Sequence, residues 1–101
     1  MEKEVIWTAQ AKDDLQKIYE FNSLILGEEK AYSLIEGLVE KADTLYQKVS
    51  GGTRYISDIN PGINYQKLIY GYYLIFFREE GKRVYVNKIF DARQNPEKLK
   101  L

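Results

Sequence analysis

The first half of the chain repeats its apolar residues at the spacing of an α-helix, and one glycine interrupts the repeat. Steps of three and four residues define one helical face over residues 9–26, formed by Ala11, Leu15, Ile18, Asn22 and Ile25. Thr8 precedes this stretch as a plausible N-cap, and Gly27 follows it as a C-cap. The spacing therefore predicts a first helix with defined ends, and Asp13 and Asp14 lie near its start, where the helix dipole favours negative charge.

The same spacing resumes directly after Gly27 and predicts a second helix to about residue 48. Its apolar positions are Ala31, Leu34, Ile35, Leu38, Ala42, Leu45 and Val49. Because only Gly27 separates the two helices, they should form an antiparallel hairpin. Gly37 lies inside the second helix at a cost of up to ~1 kcal/mol relative to alanine. A close approach between the two helices would explain that glycine.

After Gly51 and Gly52, β-branched and aromatic residues replace the helical pattern. Together with Val5-Ile6-Trp7 near the start, they predict strands at 3–7, 65–70, 72–78 and 83–91, with turns at 60–62 and 79–82. Residues 53–59 are compatible with an extended conformation but are not counted among these strands. The segment 72–78 is almost wholly apolar, as expected of a central strand covered on both faces. The sequence predicts a single α+β domain over residues 1–101, ordered β-α-α-β-β-β, with the N-terminal helix hairpin packed on an antiparallel sheet.

Composition excludes several kinds of chemistry. The chain has no cysteine and no histidine, so disulfides, thiolate metal sites and catalytic pairs that need either residue cannot form. Fifteen basic residues balance fifteen acidic ones, which weighs against nucleic acid as the main target. The N-terminus lacks the apolar segment of a signal peptide, and no run is long enough to span a membrane. We expect a cytoplasmic protein without metal or cofactor.

Six polar residues stand beside apolar positions in and after the last three strands and are candidates for contacting a target. They are Lys67, Arg78, Lys88, Asp91, Arg93 and Gln94. Each also has a plainer interpretation, as a solvated strand end or an ion pair at the rim of the sheet. Asp91 and Arg93, in particular, are spaced so that they can cap a turn.

Aromatic residues are unusually frequent: the chain has nine tyrosines and four phenylalanines. Five of the tyrosines fall in the strand-forming half, at Tyr65, Tyr70, Tyr72, Tyr73 and Tyr85. They suit a sheet core, but tyrosine is also enriched at protein interfaces. Since a chain this short has few elements left to cover the second face of the apolar strand, a bound partner segment is a second interpretation.

Three segments together resemble the RelE/ParE superfamily of type II toxin–antitoxin toxins, and the ParE branch most. They are IWTAQAKDDLQKIYEF, AYSLIEGLVEKADTL and YQKLIYGYYLIFFREEGKRVYVNKIFDARQNPEKL. The resemblance implies the family fold and a growth-inhibiting toxin neutralised by an antitoxin whose C-terminal segment wraps around it. That segment would cover the aromatic sheet, and the candidates for contacting it are Tyr65, Tyr72, Tyr73 and Tyr85.

Two mechanisms occur among the proteins that this chain resembles. RelE-like members cut messenger RNA on the ribosome, whereas ParE-like members inhibit DNA gyrase. Here Leu74 and Gln66 stand where arginine is frequent in the ribonucleases, although Asp91 could serve as a base and Tyr65 as a polar partner. The basic positions that match the ParE pattern are Lys67, Arg78 and Arg93. We therefore favour a gyrase-like protein target over ribosome-dependent RNA cleavage, with an inactive antitoxin-binding member as a third possibility.

Overall fold

The computed structural model describes residues 4–46, 53–55 and 62–99. Its elements are, in order, β1 (Glu4–Trp7), α1 (Ala9–Leu26), α2 (Glu28–Asp43), a 3-10 turn (Thr44–Tyr46), β2 (Thr53–Tyr55), β3 (Tyr65–Tyr70), β4 (Tyr73–Glu80), β5 (Arg83–Asp91) and a second 3-10 turn (Pro96–Lys98). The α+β prediction is confirmed. The second helix ends earlier than predicted, because a 3-10 turn follows Asp43. Parts of the other predictions fell on residues that lie outside the described ones, namely 3, 47–52, 56–61 and 100–101.

Both predicted caps of α1 are present. The Thr8 hydroxyl accepts a hydrogen bond from the Ala11 backbone N–H at 3.2 Å. At the other end, Gly27 adopts φ of 89°, which favours glycine, and its N–H donates to the Ser23 carbonyl at 3.1 Å. The Gly27 carbonyl in turn accepts from the N–H of Ala31 in α2. One glycine therefore ends α1 and begins α2, as the hairpin prediction requires.

The five strands form one sheet in the order β1-β5-β4-β3-β2, with β4 in the centre as predicted. Neighbouring strands from β2 to β5 are antiparallel, but β1 pairs in parallel with β5, from Glu4 opposite Arg83 to Trp7 opposite Val86. The sheet is thus mixed, not wholly antiparallel. Parallel pairing is possible because long connections, not a tight turn, separate β1 from β5.

The hydrophobic core lies between the helix hairpin and one face of the sheet. Its buried members are Ala11, Leu38, Ala42, Leu45, Tyr73, Ile75, Phe77, Val84, Val86 and Ile89. Ile25, which we had placed on the core face of α1, is instead 62% exposed. Its neighbours Leu24 and Leu26 are exposed as well, so the last turn of α1 extends past the packed part of the hairpin.

Gly37 is explained by the sheet and not by the other helix. A Cβ atom added at this position would overlap the hydroxyl and ring carbons of Tyr70, the last residue of β3. The prediction that Gly37 permits a close helix–helix approach was therefore wrong. The glycine lets α2 lie directly against the Tyr70 side chain.

The sheet face opposite the helices is already covered in the isolated chain. Strand alternation places Phe76 on this face, between the core residues Ile75 and Phe77, and Phe76 is nevertheless 0% exposed. Tyr65 and Phe90 are also buried. The second interpretation, in which a bound partner segment covers the apolar central strand, is therefore wrong for the middle section of that strand.

Candidate functional site

The C-terminal end of β5 meets the turn between β3 and β4. Asp91, the last residue of β5, pairs with Tyr73, the first residue of β4. The next residue, Ala92, donates its N–H to the carbonyl of Tyr72 at 2.7 Å. This register carries the chain after β5 alongside the turn, and it brings Tyr72 and Arg93 together.

Arg93 is held on two sides. Its Nε–H donates to Asp91 Oδ1 at 3.0 Å and its Nη2 to Oδ2 at 2.8 Å, while its backbone N–H also donates to Oδ1. The guanidinium carbon lies 4.5 Å from the centre of the Tyr72 ring. Because the arginine side chain is 51% exposed and Tyr72 64% exposed, the pair presents a fixed cation and an aromatic ring to solvent. We call Tyr72, Asp91 and Arg93 the arginine site.

Hydrogen bonds from the Arg93 guanidinium hold the pKa of the Asp91 carboxyl below its ordinary value. The proton therefore binds Asp91 more weakly in the folded chain than in the unfolded one. The stabilisation from this contact is present above the ordinary pKa of aspartate and is lost as the pH falls through the lowered folded value.

We expect Arg93→Ala to raise the pKa of Asp91, because the guanidinium is the largest cause of its lowering and partial burial then acts against the backbone N–H of residue 93 alone. Carbon-detected NMR of the Asp91 carboxyl through a pH titration measures this midpoint. An unchanged midpoint in the variant would show that the guanidinium does not hold the carboxylate in solution.

Gln94 and Lys88 lie near the arginine site but differ from Arg93 in their surroundings. Gln94 closes the turn by donating its backbone N–H to the Asp91 carbonyl at 3.0 Å, and its side chain is exposed. Lys88 lies in a cleft between α1 and β5, with its Nζ 3.6 Å from Asp14 Oδ1. Both side chains of that ion pair are mostly buried. The Lys88 ion pair thus links β5 to α1, and the Lys88 ammonium is poorly accessible to a binding partner.

Asp14 is the residue that sequence reasoning missed. Its Oδ2 accepts from the backbone N–H of Ile89 at 3.0 Å, and its Oδ1 accepts from Gln10 Nε2 at 2.9 Å. Since β1 pairs with β5 only as far as Val86, this carboxylate satisfies an N–H on the edge of β5 that no strand covers. The sequence did contain a signal, because Asp14 is a charge at helical spacing on the apolar face of α1.

The remaining two target candidates lie elsewhere. Arg78 stacks over the Tyr85 ring at 4.2 Å and pairs with Glu80 at 3.1 Å. It lies five residue steps along β4 from Tyr73, or ~17 Å at about 3.3 Å per residue. Lys67 is half-buried on β3 and makes no ion pair within the described part of the chain. The structure therefore brings together Asp91, Arg93 and Gln94, and separates Lys67 and Arg78 from them.

The four tyrosines proposed to contact an antitoxin also differ in exposure. Tyr65 and Tyr73 are buried, and the Tyr73 hydroxyl accepts a hydrogen bond from Asn22 Nδ2 at 3.1 Å. Tyr85 is half-buried beneath Arg78. Only Tyr72 of this set exposes most of its side chain, and it belongs to the arginine site.

A second surface lies at the tip of the helix hairpin. Five large apolar side chains are exposed there, and we call them the hairpin patch: Phe21, Leu24, Ile25, Leu26 and Tyr32. Leu24 is 87% exposed. Isolated apolar residues are normal on a protein surface, but five exposed ones within residues 21–32 make this end of the hairpin a candidate interaction surface. Phe21 also lines a depression that includes Asp91 and Gln94. The sequence signal for this surface was the run Leu24-Ile25-Leu26. Three consecutive residues of a helix point in different directions, so they cannot all lie on one buried face.

Within residues 4–46, 53–55 and 62–99, no group of three acidic residues is placed to hold a metal ion. Across the same residues, no helix is both long enough and apolar enough to cross a membrane.

Comparison with known proteins gives a consistent result. The family model described as "ParE toxin of type II toxin-antitoxin system, parDE" matches residues 5–96. Among solved structures, a chain from the "Chromosomal ParDE TA system from P. aeruginosa" superimposes with a TM-score of 0.73 and 27% sequence identity. The match covers 90% of this chain and 97% of the other. No curated protein sequence matches at a significant level.

Proposed function

The chain belongs to the ParE toxin family of type II toxin–antitoxin systems, and from that premise we propose that it arrests growth by binding a gyrase-like protein target through the arginine site. The observation that carries this proposal is the geometry of Arg93. Its guanidinium is aligned by two hydrogen bonds that it donates to one carboxylate, and it is stacked on an exposed tyrosine. Arginine and tyrosine are the residues that most often dominate binding energy at protein interfaces.

The charges around this site suit protein contact better than cleavage of RNA. Stabilising a phosphoryl transition state needs several convergent cations. Lys17, Lys88 and Lys98 line a depression beside Asp91, but Lys17 is paired with Asp13, and Arg78 lies ~17 Å along the strand from the start of β4. Lys88 is engaged with Asp14, and Leu74 pairs across the sheet with Ile69 and Phe90. Asp91, the available base, has a lowered pKa and is therefore a weak proton acceptor.

The hairpin patch is the surface that we propose for the antitoxin. An antitoxin segment laid across it would bury the side chains of Leu24, Ile25 and Tyr32, which the free chain leaves in water. Tyr72 lies at the other proposed surface and would join the contact if the segment continues to the arginine site. Toxin, antitoxin and gyrase-like target would then meet in the cytoplasm.

Controlled expression in a bacterial host tests the proposal. Expression of the chain alone should stop growth and induce a reporter of the DNA-damage response, since blocked gyrase leaves broken DNA. Co-expression of the cognate antitoxin should restore growth. Growth arrest without the reporter, accompanied by cleaved messenger RNA, would instead identify the chain as a ribosome-dependent ribonuclease.

A further inference from the structure

A shallow groove runs along one flank of α2. Two adjoining depressions form it, and both are lined by Tyr32. Tyr19 of α1 lies at one end, while Ile35 and Val39 continue the apolar floor along α2. The three α2 residues recur at steps of three and four, so they form a continuous strip on one side of the helix. Through Tyr32, this strip is continuous with the hairpin patch.

Four glutamates border the groove: Glu28, Glu29, Glu36 and Glu40. None of them forms an ion pair with another described residue, whereas the exposed carboxylate of Asp13 on α1 is paired with Lys17 at 3.1 Å. Glu28 and Glu29 are favourable for α2 itself, because they lie in its first turn. Glu40 lies in the last turn, where a negative charge is unfavourable to the helix, so α2 alone does not explain it.

We infer that this groove receives a basic amphipathic helix of the antitoxin, with apolar residues on the Tyr32-Ile35-Val39 strip and lysines or arginines against the glutamates. The inference rests on the proposed function, which it deepens by assigning the chemistry of the partner segment. From Glu29 to Glu40 the helix rises about 16 Å, so a partner helix of roughly three turns spans the groove.

The charge pattern decides the occupant. A second copy of this chain would bring the same glutamates face to face, and like charges at an interface are repulsive. An acidic or purely apolar segment would leave the four carboxylates unpaired beside a desolvated strip. A basic segment neutralises them, and its attraction should weaken as salt screens it.

Two synthetic helical peptides of roughly 14 residues test the inference directly. They share identical leucine positions and differ only in carrying lysine or glutamate at the flanking positions. We expect the lysine peptide to bind the full chain at least about tenfold more tightly than the glutamate peptide at low salt, as measured by fluorescence anisotropy. The variant Glu36→Lys/Glu40→Lys should abolish this preference.

The matched control is Asp13→Lys/Glu97→Lys, which changes the net charge of the chain by the same amount at exposed positions outside the groove. If the control variant weakens binding of the lysine peptide as much as the groove variant does, the peptide is attracted by the net charge of the chain, and the inference is wrong. Equal binding of the two peptides would also overturn it.

Growth assays separate this inference from the proposed function. Glu36→Lys/Glu40→Lys leaves the arginine site intact, so it should still arrest growth but require more antitoxin for rescue. If this variant arrests growth and the usual amount of antitoxin still rescues the cells, the assignment of the groove is wrong, while the assignment as a toxin stands. Failure of the wild-type chain to arrest growth would overturn the proposed function. The peptide measurement would still test whether the groove binds a basic helix.

Discussion

Cells expressing Arg93→Ala should grow almost as well as cells that express no toxin, although the variant folds normally. The arginine side chain is half exposed, so its loss removes no core packing. The mostly buried Asp91 carboxylate loses the guanidinium at some cost in stability, but it keeps the hydrogen bond from the backbone N–H of residue 93. The protein target, by contrast, would lose an aligned guanidinium, and truncation of such an interface residue weakens binding by at least about 30-fold. Colony counts after induction measure the effect, and circular dichroism checks the fold.

Arg78→Ala is the matched control, because Arg78 is also an arginine stacked on a tyrosine and paired with a carboxylate. It lies outside the arginine site, so this variant should keep most of the growth inhibition. Arg93→Lys should not restore activity, because an ammonium cannot make the paired contacts to Asp91. Full toxicity of Arg93→Ala would show that the target binds another surface.

Asp14→Ala should lower the free energy of unfolding by about 3 kcal/mol, which is a large fraction of the stability of a domain this size. The substitution removes the partner of the Lys88 ammonium and of the Ile89 N–H at a position where the side chains of the ion pair are mostly buried. Removing one member of a buried pair costs far more than the pair contributes, because the other charge stays buried. Urea titration of the purified chain measures the loss.

The neighbouring residue provides the control for this measurement. Asp13 pairs with Lys17 at 3.1 Å, a shorter distance than the 3.6 Å between Asp14 and Lys88, but both side chains of the Asp13–Lys17 pair are exposed. Asp13→Ala should leave the free energy of unfolding almost unchanged, because water solvates the charge that remains. Equal effects of the two substitutions would mean that burial does not set the strength of the Asp14 contacts.

The helices and the last three strands could be predicted because their signals are local. Apolar spacing, a threonine cap and Gly27 set the bounds of α1, and the glycine at position 81 follows the end of β4. The parallel pairing of β1 with β5 could not be predicted in this way, since it joins residues about 80 positions apart. The prediction for Gly37 was wrong for the same reason. Its spatial neighbour Tyr70 belongs to the sheet and is distant in the sequence.

The candidate site was predicted in part. Asp91 and Arg93 are two residues apart, so their contact follows from local turn chemistry. Tyr72 had been grouped with the antitoxin contacts, because the sequence does not show that the register of β4 and β5 places it beneath Arg93. Asp14 was assigned to the helix dipole, because its partners Lys88 and Ile89 are more than 70 residues away.

The central claim is that this member of the ParE toxin family acts by contact with a protein and not by cutting RNA. Its most direct test is to add the purified chain to translating ribosomes and map the 5′ ends of the messenger RNA by primer extension. We predict that the messenger RNA stays intact at concentrations that arrest growth. Codon-specific cleavage by the wild-type chain, abolished by Asp91→Ala, would contradict the claim and identify Asp91 as a catalytic base.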